Sequence, residues 1–435
     1  MRNSNNTQRW LIVTVLSAAY FFAYFHRVSP AVLAPYLRRD LGLEASALAV
    51  LSSMYFYTYA LLQIPVGVFT DWLGARTVVA ASALVACIGA TVFAVARSFG
   101  VACVGRALVG AGVAGAYVPA LKTFSTWAGA REFGTMTGML IAIGNVGALA
   151  ATSPLAFSAS RIGWRLTSLS IGLVSLAISV VARIVMRGGL ECSATDAGGS
   201  RRAGIVAIAS AAKEVASNRQ VLLMGVALLG KYGPLMSFTG LWGALYLSAI
   251  YDLSLVSAGN ILMVVAIGYA VGSPFFGFIS DRVMMRRKPV LVFGMFLFAL
   301  SWVPFVLGIK LSSLGLGLVA FVMGAAGGGT GTLAFSVAKE SISPKRSATG
   351  LAIVNTMSFA AVPIFQIVTG WTIAHMERVH PEMLTGRYEG AFVICLAGSI
   401  LGLAAAALSS ETLPQERAGT TSNRVAARGD AYAPR

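Results

Sequence analysis

Apolar runs long enough to cross a bilayer recur along the whole of this 435-residue chain. A helix rises ~1.5 Å per residue, so about 20 apolar residues span the hydrocarbon core. Such spans are expected at approximately 10–37, 45–70, 76–97, 100–125, 133–158, 164–186, 220–248, 255–280, 288–308, 312–338, 347–375 and 389–410. A soluble domain carries roughly 25% charged residues. This chain carries 11%, with 57% hydrophobic, and in water the surplus apolar surface would have nowhere to go. Lipid is the expected solvent, and the expected class is an all-α membrane protein with twelve transmembrane helices.

The net charge of +17 does not point to nucleic acid, because Lys and Arg are scattered among short loops instead of forming one basic patch. The positive-inside rule accounts for them. With both termini cytoplasmic, which needs an even number of spans, more than half of the 33 Lys and Arg fall on the inner side. The expectation is a multi-pass protein of the cell (inner) membrane, in contact with lipid and monomeric. The N-terminus, MRNSNNTQRW, leads into the first span without a small-residue cleavage site, so that span reads as an uncleaved helix. Cys87, Cys103, Cys192 and Cys395 are far apart in sequence, which gives neither a disulfide framework nor a metal site. No Gly-rich loop is followed by Lys-Ser/Thr, and no nucleophile–base pair stands out. The chain reads as a non-enzyme with no cofactor and no metal.

The chain also repeats itself. Gly67-Val-Phe-Thr-Asp71-Trp-Leu-Gly-Ala-Arg76 follows the second span, and Gly277-Phe-Ile-Ser-Asp281-Arg-Val-Met-Met-Arg286-Arg287 follows the eighth. The two Asp residues are 210 positions apart. Pro35-Tyr-Leu-Arg-Arg-Asp40 echoes Leu245-Tyr-Leu-Ser-Ala-Ile-Tyr-Asp252, and Thr137-Gly138 echoes Thr349-Gly350. The longest internal polar stretch lies midway. The expected organisation is an N-terminal six-helix bundle (1–186), a cytoplasmic linker (187–218), a C-terminal six-helix bundle (219–410) and a disordered cytoplasmic tail (411–435). The linker carries an amphipathic piece, IVAIASAAKEVAS, suited to the membrane interface. Parallel six-helix halves place a substrate site between them, and rocking one against the other gives alternating access.

The motif G-x-x-x-D-x-x-G-x-R at Gly67–Arg76 resembles the loop signature of the major facilitator superfamily. Its second copy, the span count and the central linker extend the resemblance over essentially the whole chain, although Met284 replaces a Gly in that copy. The resemblance implies two pseudo-symmetric six-helix bundles and a gating role for Asp71, Arg76, Asp281 and Arg286. A narrower resemblance lies in Tyr20-Phe-Phe-Ala-Tyr24-Phe-His-Arg27 followed by Ala-Pro35-Tyr36-Leu37. This run is similar to the first helix of the organophosphate:phosphate antiporters and their anion-symporter relatives. In that group a Tyr, Tyr, Arg face binds the anionic head of the substrate, and positions 20, 24 and 27 do share one helix face. Lys231-Tyr232-Gly233 also matches the group's basic residue in the seventh helix.

Arg27 lies about 10 residues inside its helix, a depth at which a charge faces a partner or a watery cavity. Lys231 sits mid-span, with Phe238 and Trp242 following at i+7 and i+11, but the 210-residue repeat maps Arg27 onto Ser237 instead. All 16 Asp and Glu fall in loops, tails or span ends, so a cavity holding Arg27 and Lys231 is electropositive and favours anions. The planar fork of Arg suits carboxylate or phosphate. Tyr55, Tyr59, Tyr117, Asn145, Thr330 and Asn355 are polar candidates for orienting the solute. Arg106 opens the fourth span where the superfamily has an Arg tied to energy coupling, and Lys122 lies near the inner end as a headgroup or loop contact. His26 is the one His in a helix core and suits proton coupling by its intrinsic pKa. Anion exchange would need no titrating group.

The expected function is secondary transport of a small organic anion (carboxylate, sugar acid or phosphate ester), by proton symport or exchange against a counter-anion. Drug efflux or peptide transport on the same fold is an alternative. Cationic drugs call for an embedded acid, which is missing, and the stretch from Gly144 through Asn145 to Pro154 matches the exporters' Gly-Pro motif poorly. A metabolite sensor of transporter-like build is a third reading.

Overall fold

The computed structural model describes residues 6–127, 130–186, 218–342, 347–380, 382 and 384–413. The expected interfacial helix in the linker and the tail beyond 413 lie outside these residues. Among them the regular structure is helical: α1 (Asn6–Leu41), α2 (Ala45–Val95), α3 (Phe99–Val113), α4 (Tyr117–Trp127), α5 (Ala130–Ala150), α6 (Ser153–Val185), α7 (Arg219–Ser237), α8 (Gly243–Tyr251), α9 (Leu255–Phe278), α10 (Lys288–Leu300), α11 (Val303–Val306), α12 (Ser313–Glu340), α13 (Ser347–Val379) and α14 (Leu384–Ala407). Two π turns, Phe238–Trp242 and Ile279–Val283, follow α7 and α9.

Two of these helices hold a turn within them. Gly74 in α2 (φ 79°) and Gly163 in α6 (φ 78°) leave the helical region at positive φ, which glycine adopts without the Cβ clash of other residues. Each reverses the chain, so α2 supplies the second and third spans. The fifth span runs through α5 into the start of α6, and the sixth fills the rest of α6. The fourth joins α3 to α4, the seventh α7 to α8, and the ninth α10 to α11. Eleven described stretches are long and apolar enough to cross a membrane, and the shorter apolar stretch Met136–Ala150 adds a twelfth. The protein is a twelve-span α-helical bundle of two six-helix halves.

Small residues let neighbouring spans approach. A Cβ on Gly324 or Gly328 of the tenth span would come within 2.0 Å of the Val265 carbonyl or 2.2 Å of the Tyr269 carbonyl of the eighth. Such contacts give van der Waals packing where lipid offers no hydrophobic drive. Between the halves, the first span meets the seventh, the second meets the eleventh, and the fifth meets the eighth.

We call the face that carries the start of α1 and the end of α14 the near face, and the opposite one the far face. Polar contacts join the halves on the far side: Arg38 to Glu377 (2.9 Å), Arg378 to Glu44 (2.5 Å) and Ser153 to Asn260 (2.5 Å). At the near face, Arg76 donates to the Arg183 carbonyl (2.8 and 3.1 Å) within its own half. The side chain of Asp71 lies outside the described residues. In the second motif copy Arg287, not Arg286, meets Asp281, and it also bonds Glu340 at 2.9 Å. Arg286 is exposed and lends only its carbonyl to Ser280. The π turn and the left-handed Met285 (φ 48°) account for this one-residue change of register. Glu411 accepts from the backbone N–H groups of Arg287 (2.8 Å) and Lys288 (3.1 Å), tying the end of the last span to the start of the ninth. Burial pushes its carboxyl up, but these bonds and those from Thr412 and Leu413 hold it below the usual range.

Candidate substrate site

A cavity of about 70 Å³ lies between the first and fifth spans of one half and the seventh and eighth of the other. Its volume exceeds the space of a single water. Arg27 reaches it from the first span and is 4% exposed. Its NH1 donates to Tyr232 Oη across the halves (3.0 Å). The guanidinium lies 4.2 Å from the ring centre of Tyr24, 4.9 Å from Phe359 and 5.8 Å from Tyr59. Its Nε is buried without a partner. Aromatic faces therefore supply the negative potential around this cation, and the cavity lining contains no carboxylate.

Tyr24 lies on the helix turn just before Arg27 and lines the same cavity. Tyr20 lies one turn further back, 3.4 Å from Tyr24 Oη and stacked on Tyr117 at 5.2 Å, so this pair buttresses Tyr24. Asn145 lines the cavity from the fifth span, and its Nδ2 is tied to the Ile141 carbonyl (3.1 Å). Tyr59 faces Arg27 from the second span, while Tyr55 donates to the Ala23 carbonyl (2.8 Å) and ties the second span to the first. Asn355 is half-buried in the eleventh span, outside the lining. Thr330 is wholly buried and bonds its own helix.

Lys231 is 2% exposed, and its Nζ lies 5.4 Å from the ring centres of both Tyr232 and Tyr269. Those two tyrosines line the cavity, whereas Lys231 itself does not. Phe238 and Trp242 do not share this environment. Phe238 packs among Trp302, Phe305 and Phe392, and Trp242 donates Nε1 to Thr369 (2.9 Å) in the interior. The π turn over Phe238–Trp242 widens the helix, so the i+7 and i+11 spacing stops tracking one face. Arg106 lies away from the cavity. It donates to the His26 carbonyl (3.1 Å) and lies 5.3 Å from the Tyr55 ring centre, joining the fourth span to the first and second. His26 is buried edge-on to Phe25, and its Nε2 has no partner. Lys122 donates to the Thr70 carbonyl (3.2 Å).

Tyr232, Tyr269, Thr239 and Phe359 were not among the expected site residues. Tyr269 had a signal: it stands twelve positions before Asp281, as Tyr59 stands twelve before Asp71. The repeat thus places one tyrosine near Arg27 and its counterpart near Lys231. Among the described residues no group of three His, Cys, Asp or Glu could hold a metal ion.

Residues 16–259 and 234–429 match the family model of the Major Facilitator Superfamily. The chain belongs to this superfamily. The relatives it brings are transporters. It is 30% identical over 168 residues to a probable sulfoacetate transporter of Cupriavidus necator, covering 39% of each chain. It is 25% identical over 167 residues to the hexuronate transporter of Escherichia coli K12 (38% of this chain, 39% of the relative). A galacturonate transporter of Dickeya chrysanthemi is 24% identical over 168 residues (39% and 49%). The alignments thus span about two-fifths to one-half of these relatives' length. In fold, the chain is similar to a bacterial homolog of the human lysosomal transporter Spinster in an inward-facing, unoccupied conformation (TM-score 0.75, 15% identity, 93% and 97% covered). It is also similar to the nucleoside transporter NupG (TM-score 0.73, 15% identity, 91% and 98% covered).

Proposed function

We propose that this transporter carries a small organic anion, a carboxylate, sugar acid or phosphate ester, by alternating access with Arg27 as the anion's ligand. One observation carries the reading. Arg27 is a buried guanidinium between the halves, with an unpartnered Nε and no carboxylate in the lining of its cavity. An uncompensated buried charge is costly, and an anionic solute would supply the missing partner. Lys231, 5.4 Å from the ring centres of the lining residues Tyr232 and Tyr269, adds to the positive potential. Sulfoacetate, hexuronates and galacturonate, named for the relatives, are all organic anions, which supports the same class. The near face is the cytoplasmic one on this reading, with 1–186 and 219–410 as the two rocking halves. Proton symport and anion exchange are both compatible with the site.

The test is a thermal-shift panel of anionic, neutral and cationic metabolites on the purified protein, with Arg27→Ala beside it. Stabilisation by one class of anion, lost in Arg27→Ala, is expected. Stabilisation by cations or neutral compounds that survives Arg27→Ala would sink the proposal and favour efflux or peptide transport. Saturable anion binding without flux in liposomes would point to a sensor.

A further inference from the structure

A groove of about 690 Å³ opens on the outside of the C-terminal half, where the eighth, ninth and tenth spans meet. Its lining falls within 271–279, at Met284, and within 289–297 and 321–326, and no lining residue has a polar side chain. Phe275 and Phe293 are each 56% exposed, so the groove faces outward and not into the bundle. The eighth and tenth spans touch at small residues there: a Cβ on Gly272 would come within 2.1 Å of the Ala325 carbonyl. The groove has nearly the depth of one leaflet. At ~1.5 Å per residue it runs about 12 Å along the eighth and ninth spans, against ~15 Å for half of the hydrocarbon core. It begins at the near face, by Met284 and Pro289, and ends at mid-span by Leu297 and Val322. An apolar hollow offers water no hydrogen bonds, whereas a membrane offers it acyl chains. The mouth is cationic. Arg282 and Arg286 stand two positions either side of Met284, and Lys288 adjoins Pro289. Both arginines are exposed, and Lys288 is half-buried. The acids at this end are engaged elsewhere. Asp281 and Glu340 both accept from Arg287, and Glu411 accepts from the backbone N–H groups of Arg287 and Lys288. Among the described residues no acid pairs with the side chain of Arg282, Arg286 or Lys288.

We propose that this groove binds an anionic phospholipid of the leaflet at the near face, with one acyl chain in the groove and the headgroup phosphate at Arg282, Arg286 and Lys288. The groove alone would accept the chain of any lipid. The cations at its mouth select the head, because each Lys or Arg near the membrane surface attracts a net negative lipid. Phosphatidylcholine carries its own ammonium beside the phosphate and gains little from them. Long basic side chains can reach the headgroup level while their stems lie along apolar surface. The site is independent of the central cavity and does not rest on the reading of Arg27.

The test is native mass spectrometry of the full chain in detergent, titrated with dioleoyl phosphatidylglycerol or dioleoyl phosphatidylcholine, which share their acyl chains. The first phosphatidylglycerol is expected to bind about tenfold more tightly than the first phosphatidylcholine. Replacing both arginines, Arg282→Gln with Arg286→Gln, should remove that preference. Val322→Trp places an indole in the groove and should weaken phosphatidylglycerol binding several-fold, with Val271→Trp as the second filler should the first variant not fold. Inorganic phosphate in excess should leave the lipid bound, since it lacks the chain. Equal affinity for the two lipids would overturn the proposal. So would a preference that survives the double arginine variant, binding that ignores a folded filler variant, or displacement by inorganic phosphate. A dimer that takes up no lipid would overturn it too, and would make the groove a contact between two copies of the chain.

Discussion

Arg27→Lys separates the charge of the central site from its geometry. Arg27 already gives NH1 to Tyr232, while Nε is a buried donor with no acceptor. An arriving carboxylate can take Nε together with a neighbouring N–H in the planar fork that favours two parallel bonds. Lysine keeps the charge but presents a point donor on a different stem. One hydrogen bond to a charged group contributes about 1.5–3 kcal/mol, so losing one of the two predicts binding weakened by about 10- to 150-fold. Arg27→Ala, which loses both bonds and the charge, should bind more weakly still. The assay is calorimetric titration of both variants with whichever anion stabilises the wild type, after thermal melts show that they are folded. Affinity of Arg27→Lys within about threefold of wild type would refute the argument from the fork and leave charge alone as the recognition.

Two further changes probe the burial of charge. Lys231→Met should raise the melting temperature of the solute-free protein, because it removes an ammonium that is 2% exposed and packs against the rings of Tyr232 and Tyr269 and against Gly331. It should also weaken anion binding by about tenfold; unchanged affinity would make Lys231 a packing residue. Glu411→Gln acts at the near face. The folded pKa of Glu411 is depressed below its ordinary 4.5, so its charged form stabilises the fold above that pH and the contribution is lost as pH falls through the folded value. The variant should melt lower than wild type at neutral pH, and the gap should close in acid. A gap that stays constant down to pH values well below 4.5 would show that the carboxylate's charge is not what holds the helix start.

What the sequence made legible follows from the range of the interactions involved. The twelve spans and the repeat were legible because apolar length and a recurring loop motif are local properties. Tyr24 and Arg27 were legible as neighbours on one helix face for the same reason. Tyr232 as the partner of Arg27 was not, since the two lie 205 positions apart and meet only through the docking of one half on the other. Trp242 and Arg286 show a second limit. Each follows or lies in a π turn, which moves the helix register by an amount that tertiary packing decides. Tyr269 shows the reverse, a site residue encoded in the repeat and readable once Tyr59 is taken as its mate. That pairing bears on mechanism. The repeat sets an aromatic face near a cation in each half, but Arg27 and Lys231 are not repeat equivalents, so the two cations approach the cavity from different depths. The guanidinium lines the cavity, while the ammonium lies outside the lining, beside two tyrosine rings. A symmetric pair would hold an anion equally toward both halves. The unequal pair gives the two ends of a solute different surroundings, and so can orient a molecule that carries its charge at one end.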